Sequence, residues 1–192
     1  ADNPRSTGDA YRTLTLTNEK GRVSYGSDAG KEGMKQKGDW RNNMIQIAKV
    51  DGFKFKNITI KNSHAWAISF ERTKNVELSA LRFINPEYIQ VNGADVKTYN
   101  KDGINLRHGC KYFRIDNITG INGDDLIALS SLDAAPYYHS NGDINSYQVT
   151  STKWSGPEDD TEQVFITNCQ TNYTGVAIRA SDNASIHHVY IN

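Results

Sequence analysis

Short runs of alternating apolar and polar residues recur along the chain, and a second run follows most of them at a constant offset. Phe53 and Phe55 are followed by Ile58 and Ile60, Val76 and Leu78 by Leu81 and Phe83, Phe113 and Ile115 by Ile118, Val164 and Ile166 by Cys169, and Ile186 by Ile191. The offset is five residues each time. Alternation with period two marks a strand with one buried face. A step of five then means that two short strands meet at a tight bend with their apolar faces still on the same side. A further strand precedes each bend, at Ile45/Ile47, Ile68/Phe70, Ile104/Leu106, Ile127/Leu129 and Val176/Ile178. Three strands make one turn.

Successive first strands are separated by 68 − 45 = 23, 104 − 68 = 36, 127 − 104 = 23 and 176 − 127 = 49 residues. The 23-residue steps set a unit coil, and the longer ones carry insertions near 86–100 and 132–161. A coil of this kind cannot bury its inner face alone, so neighbours stack about 4.8 Å apart and share one core. The expected fold is all-β, a right-handed single-stranded parallel β-helix with three strands per coil. β-Branched and aromatic residues dominate the periodic segments, and no stretch holds helical spacing for three turns. Asn57, Asn117 and Asn168 fall at the same place inside three bends. An inward asparagine ladder is expected there, with amides bonded from coil to coil. It would make the sequons Asn57-Ile58-Thr59 and Asn117-Ile118-Thr119 unavailable for glycosylation.

Residues 43–192 carry the repeat, whereas residues 1–42 hold one expected strand, Tyr11–Leu16, and then a polar stretch ending near Gly38-Asp39-Trp40. Long loops on a solenoid form the walls of a cleft. The second insertion holds Tyr137, Tyr138, His139, Tyr147 and Trp154, which suit either stacking on sugar rings or anchoring the loop.

Composition narrows the partners. Lysine plus arginine number 22 and aspartate plus glutamate 22, so no net field favours nucleic acid or an anionic membrane. No apolar run approaches the roughly 20 residues that span a bilayer. The first residues lack the apolar stretch of a signal peptide, as expected of a processed chain. Cys110 and Cys169 are the only cysteines, and no histidine pair stands at ligand spacing, which argues against a structural metal or a disulfide framework.

Candidate chemistry lies in three acids. Asp102 precedes the strand of Ile104 and Leu106 as Asp125 precedes that of Ile127 and Leu129, and 125 − 102 = 23 is one coil. Their carboxylates should therefore lie about 5 Å apart, with Asp124 as a third pointing to a different side. Like charges this close raise at least one pKa. Glycoside hydrolysis needs that combination of one protonated and one ionised carboxyl group. Alternatively, Asp-Gly and Gly-Asp-Asp simply make turns.

The runs Asn62-Ser63-His64-Ala65-Trp66-Ala67-Ile68, Asn100-Lys101-Asp102-Gly103-Ile104 and Gly123-Asp124-Asp125-Leu126-Ile127-Ala128-Leu129 resemble glycoside hydrolase family 28, the polygalacturonases and their relatives. That family carries Asn-Ser-x-x-Trp, Asn-Thr-Asp-Gly and Gly-Asp-Asp motifs in this order. The resemblance implies a secreted or periplasmic inverting hydrolase of a pectin-like polysaccharide, monomeric when complete, with no metal or organic cofactor. It assigns Asp124 as general acid, and Asp125 with Asp102 as the holders of the attacking water. Acid and base would then stand roughly 6.5–9.5 Å apart. The family's Gly-His-Gly motif should fall near Tyr173-Thr174-Gly175, where no histidine occurs, and its Arg-Ile-Lys motif has no counterpart in the chain. Asn100, Arg107, His108 and the outward Arg179 are candidates for substrate contacts in their place, although His108 alone suits a surface turn.

Two other readings stay open: a calcium-dependent polysaccharide lyase on the same fold, and a non-catalytic carbohydrate-binding β-helix. Because the sequence ends at Val189-Tyr190-Ile191-Asn192, within a strand, the chain is expected to be part of a longer helix whose end would otherwise be open to edge pairing.

Overall fold

The computed structural model describes residues 44–63, 66–91, 94–97, 101–131, 154–180 and 183–192. The expectations for residues 1–42 and for Asn100, Tyr137, Tyr138, His139 and Tyr147 fall outside these residues. The strands are β1 (Ile45–Ala48), β2 (Asp51–Lys61), β3 (Ile68–Glu71), β4 (Lys74–Asn85), β5 (Tyr88–Val91), β6 (Ala94–Lys97), β7 (Ile104–Leu106), β8 (Lys111–Asn122), β9 (Ile127–Ser131), β10 (Thr161–Thr167), β11 (Gln170–Thr171), β12 (Val176–Ala180) and β13 (Ile186–Ile191). One 3-10 turn, Pro157–Asp159, precedes β10.

Two parallel sheets make the coil. The first runs β1-β3-β7-β9-β12 and the second β2-β4-β8-β10-β13, with β11 added to the far arm of β8. The anchors of the repeat pair as their spacing predicts: Ile45 with Ile68, Ile68 with Ile104, Ile104 with Ile127 and Ile127 with Val176. The chain is a parallel β-helix. Insertions leave this register untouched, and the first contains the antiparallel hairpin β5–β6.

The step of five has a backbone cause. Asn57, Ala80, Asn117 and Asn168, each lying between the two apolar sets, have φ of 57°, 52°, 53° and 52°. One left-handed residue turns the chain at the corner, so an odd step returns the side chains to the inside. In β2, β4 and β8 ladder pairing continues through this corner, so the second and third arms form one bent strand. An earlier corner is built in the same way by Gly52, Asn75, Tyr112, Gln163 and His188. Inside, Phe53, Phe70 and Phe113 stack with centroids 5.8 and 5.2 Å apart, the rings meeting edge to face. Ile68, Leu78, Leu81, Ile104, Ile118 and Ile127 are fully enclosed.

The asparagine ladder is not where the bends suggested. Asn57, Asn117 and Asn168 are exposed, and Ala80 interrupts their column. Asparagine serves there because it tolerates φ > 0, and both sequons face solvent. The buried amide contact lies at the end of the bent strands: Asn85 Nδ2 donates to Asn122 Oδ1 at 3.2 Å, and Asn85 Oδ1 accepts from the Ser63 N–H at 2.9 Å. The Ile186–Ile191 pair is a second correction. Ile186 pairs with Thr161 and Ile191 with Ile166, so the segment lies wholly before the second corner and crosses only the earlier one, at His188.

Candidate active site

The three aspartates sit where the first sheet begins. The Gly103 N–H donates to the Asp125 carbonyl at 2.9 Å, Ala67 N–H to the Asp102 carbonyl at 2.8 Å, and Leu126 N–H to the Thr174 carbonyl at 3.0 Å. Backbone ladder bonds thus hold Asp102 and Asp125 one rung apart, with Thr174 on the next rung. Thr174 therefore stands one rung beyond Asp125, on the stretch where the family motif has its histidine. The glycines beside the acids answer to close approach. A Cβ on Gly103 would lie 2.6 Å from the Leu126 carbonyl oxygen, and one on Gly123 would lie 3.1 Å from Glu87 Cα. Neither glycine has positive φ, so at these two positions the motifs reflect packing of adjacent coils, not turn preference.

Oxygens of Asp102, Asp124 and Asp125 lie within 4.8 Å of one another. The roughly 6.5–9.5 Å expected of an acid–base pair is not met by these nearest oxygens. Nor does Asp124 turn away from its neighbours. Its Oδ1 accepts the Asp125 N–H at 3.1 Å, which folds the carboxylate back to the same point. Asp102 is fully buried. Burial first, and the nearby Asp124 charge second, push its carboxyl up to about 8, against a hydrogen bond from Asn105 that favours the ionised form. The Asp125 carboxyl is also raised, by burial and then by Asp124, while Arg179 opposes the rise.

Arg179 Nη2 donates to Asp125 Oδ2 at 3.1 Å. It reaches the acids from β12, two coils after Asp102, with its side chain half exposed. Asp102, Asp124 and Asp125 form an oxygen cluster of the kind a hard divalent cation uses, but this guanidinium already supplies positive charge there.

Arg107 and His108 lie at the other end of β7. Arg107 is buried, with its guanidinium carbon 5.3 Å from the Trp66 ring centroid. His108 is fully enclosed rather than on a surface turn. Its carbonyl accepts the Arg72 N–H at 2.7 Å, which ties that corner to the previous coil. Trp154 donates its indole N–H to Asp160 at 2.8 Å, a bond that anchors its segment beside β10.

Two residues escaped notice in the sequence. Asn105 Nδ2 donates to Asp102 Oδ2 at 2.6 Å and so fixes the orientation of that carboxyl. Lys101, next to Asp102, is fully buried, and burial pushes its ammonium down to about 8 while Nζ donates to the Pro86 carbonyl at 3.0 Å. A polar residue three after Asp102, outward on a strand, was the available signal for Asn105. Nothing in the local pattern marks Lys101 as buried.

Neither the curated proteins nor the solved structures yielded a match to this chain. A family model, that of the glycosyl hydrolases family 28, matches residues 17–179, a span that takes in all three aspartates, Asn105 and Arg179. With the coil, the rung-to-rung placement of the acids and this span in agreement, the chain belongs to glycosyl hydrolases family 28, a β-helical family of glycoside hydrolases acting on polysaccharides.

Proposed function

We propose that the chain hydrolyses the glycosidic bonds of an acidic, pectin-like polysaccharide with inversion at the anomeric carbon. The observation that carries this reading is the convergence of three carboxylates from adjacent rungs within 4.8 Å, one of them fully buried. Groups so close hold fewer than three negative charges, and the shared proton belongs to the cluster rather than to one residue. Asp124, the least enclosed of the three, faces the arriving substrate and delivers that proton to the glycosidic oxygen. Asp125, its ionised form favoured by Arg179, takes a proton from water, whose oxygen bonds to the anomeric carbon as the carbon–oxygen bond to the leaving sugar breaks. Asp102, held by Asn105, orients the water.

The short spacing resembles that of retaining enzymes, roughly 5–5.5 Å. That spacing favours, as a second reading, Asp125 as a nucleophile whose ionised form Arg179 supports. Incubation with polygalacturonate tests the reading. Reducing ends should appear without absorbance near 235 nm, and NMR of the first product should show the inverted anomer. Absorbance at 235 nm would mean a lyase, and a retained anomer would move Asp125 to the role of nucleophile. Glycan binding with no reducing ends from any polysaccharide would leave a non-catalytic β-helix.

A further inference from the structure

Adjacent residues on a regular strand point to opposite faces, so His187 and His188 of β13 should not meet. They do meet, because His188 has φ of 52° at the corner, and its ring swings round to the side of His187. The two Nδ1 atoms come to 2.7 Å, with the rings nearly perpendicular at 80°. Two neutral imidazole lone pairs cannot face each other at that distance with nothing between them. A proton lies between them, as in an N–H···N hydrogen bond, and a metal ion taking its place would sit off the line, bonded to both nitrogens. Glu162 of β10 pairs with His187 across the ladder, and its Oε2 lies 3.7 Å from His187 Nδ1. Its other oxygen, Oε1, accepts from Lys111 Nζ at 2.8 Å.

We propose that Glu162, His187 and His188 bind a divalent transition-metal ion of the copper or nickel class, bridging β10 and β13. The donor set of two imidazoles and one carboxylate suits these ions and not calcium or magnesium. Geometry narrows the choice. With metal–nitrogen bonds of roughly 2.0–2.1 Å, nitrogens 2.7 Å apart subtend an angle of about 80° at the metal. That is near the right angle of a tetragonal site and well short of the tetrahedral angle zinc prefers. The site is separate from the aspartate cluster, since its ligands come from the opposite sheet. His187 is 40 % and Glu162 23 % exposed at the side chain, so an ion can enter from solvent. No histidine pair stands at ligand spacing in the residue order, because such spacing assumes regular strand geometry and the left-handed corner at His188 breaks it.

Calorimetric titration of the tag-free 192-residue chain with copper(II) or nickel(II) chloride tests the proposal. One equivalent should bind, zinc should bind at least about tenfold more weakly, and calcium should not compete. His188→Asn keeps a residue at ease in the left-handed conformation while removing the imidazole. It should weaken binding by about 100-fold or more, and Glu162→Gln by about tenfold. The Asp102→Asn/Asp125→Asn double variant should bind copper as the parent does, and circular dichroism should show every variant folded. Absence of stoichiometric binding would overturn the proposal. So would unchanged binding in folded His188→Asn, or loss of binding in the aspartate variant.

Discussion

The two sheets of this helix use the same interior and treat their outer faces in opposite ways. Along β8, enclosed and open positions alternate, and the outward side chains, such as Tyr112 and Arg114, meet solvent. Every residue of β3, β7 and β9 is buried, whichever way it points. All but one of their outward positions are nevertheless polar, namely Ser69, Glu71, Asn105 and Ser130, with Ala128 the exception. Burying such groups costs free energy unless each finds a partner. Asn105 Oδ1, Asp102 Oδ1 and Ser130 Oγ have none among the described residues. The second sheet is therefore built for stability, and the first gives up part of its stability to hold polar groups at defined places.

Substitutions that divide along this line sharpen the contrast. Asp124→Asn, on the first-sheet side, should lower kcat by about 10³–10⁴-fold, equivalent to roughly 4–5 kcal/mol of transition-state stabilisation, with little change in KM or in unfolding midpoint. A loss under tenfold would place the general acid elsewhere. Phe113→Ala, in the second sheet, should instead cost about 3–4 kcal/mol of stability through the cavity left beside Phe70, while kcat of the folded fraction stays near that of the parent. Urea unfolding separates the two, and comparable loss of kcat in both variants would erase the distinction.

Asp102 links stability to pH. Its carboxyl stands near 8 in the folded chain and near 3.8 as a free side chain. Between those values the folded state holds a proton that the unfolded state has lost, so this group's contribution to stability falls as pH rises from about 4 to about 8 and then levels off. Asp125 shifts the same way. Asp102→Asn should flatten the decline in urea midpoint between pH 4.5 and 7.5, and an unchanged slope would mean that Asp102 is ionised in its site. At the corner of the second sheet, Asn117→Val should cost roughly 1–2 kcal/mol by forcing a β-branched residue to positive φ, whereas Asn117→Gly should be close to neutral. An equal loss in both would mean that the amide, rather than the backbone, matters there.

Much of the second sheet was legible because its alternation survives in the residue order: Phe53, Val76, Phe113 and Val164 were placed in one register that the ladder reproduces. The step of five located the corners but not their cause, and an asparagine that relieves strained backbone looks in sequence like one that stacks inward. The buried pair was nonetheless signalled. Asn62, Asn85 and Asn122 each stand two residues after Ile60, Phe83 and Gly120, at the same point of three coils. In the site, Asp102 and Asp125 could be paired because their 23-residue separation equals the coil. Arg179 could be read as outward, yet its partner depended on where a coil with a long insertion would land. Glycines 103 and 123 read equally well as turns, since only the distance to the neighbouring coil distinguishes the two roles.

Rung-to-rung pairing also decouples the length of the chain from the position of its chemistry. Between β3 and β7 the path is 13 residues longer than a unit coil, from 36 − 23, and between β9 and β12 it is 26 longer, from 49 − 23. Ile68 still pairs with Ile104, and Ile127 with Val176. Parallel pairing with the previous coil resets the phase of the strand that follows each insertion, whatever length of peptide has intervened. Loops can thus be exchanged, lengthened or shortened as independent modules while the acids keep their separation. A scaffold of this kind can change what it admits to its cleft without redesigning the machinery below.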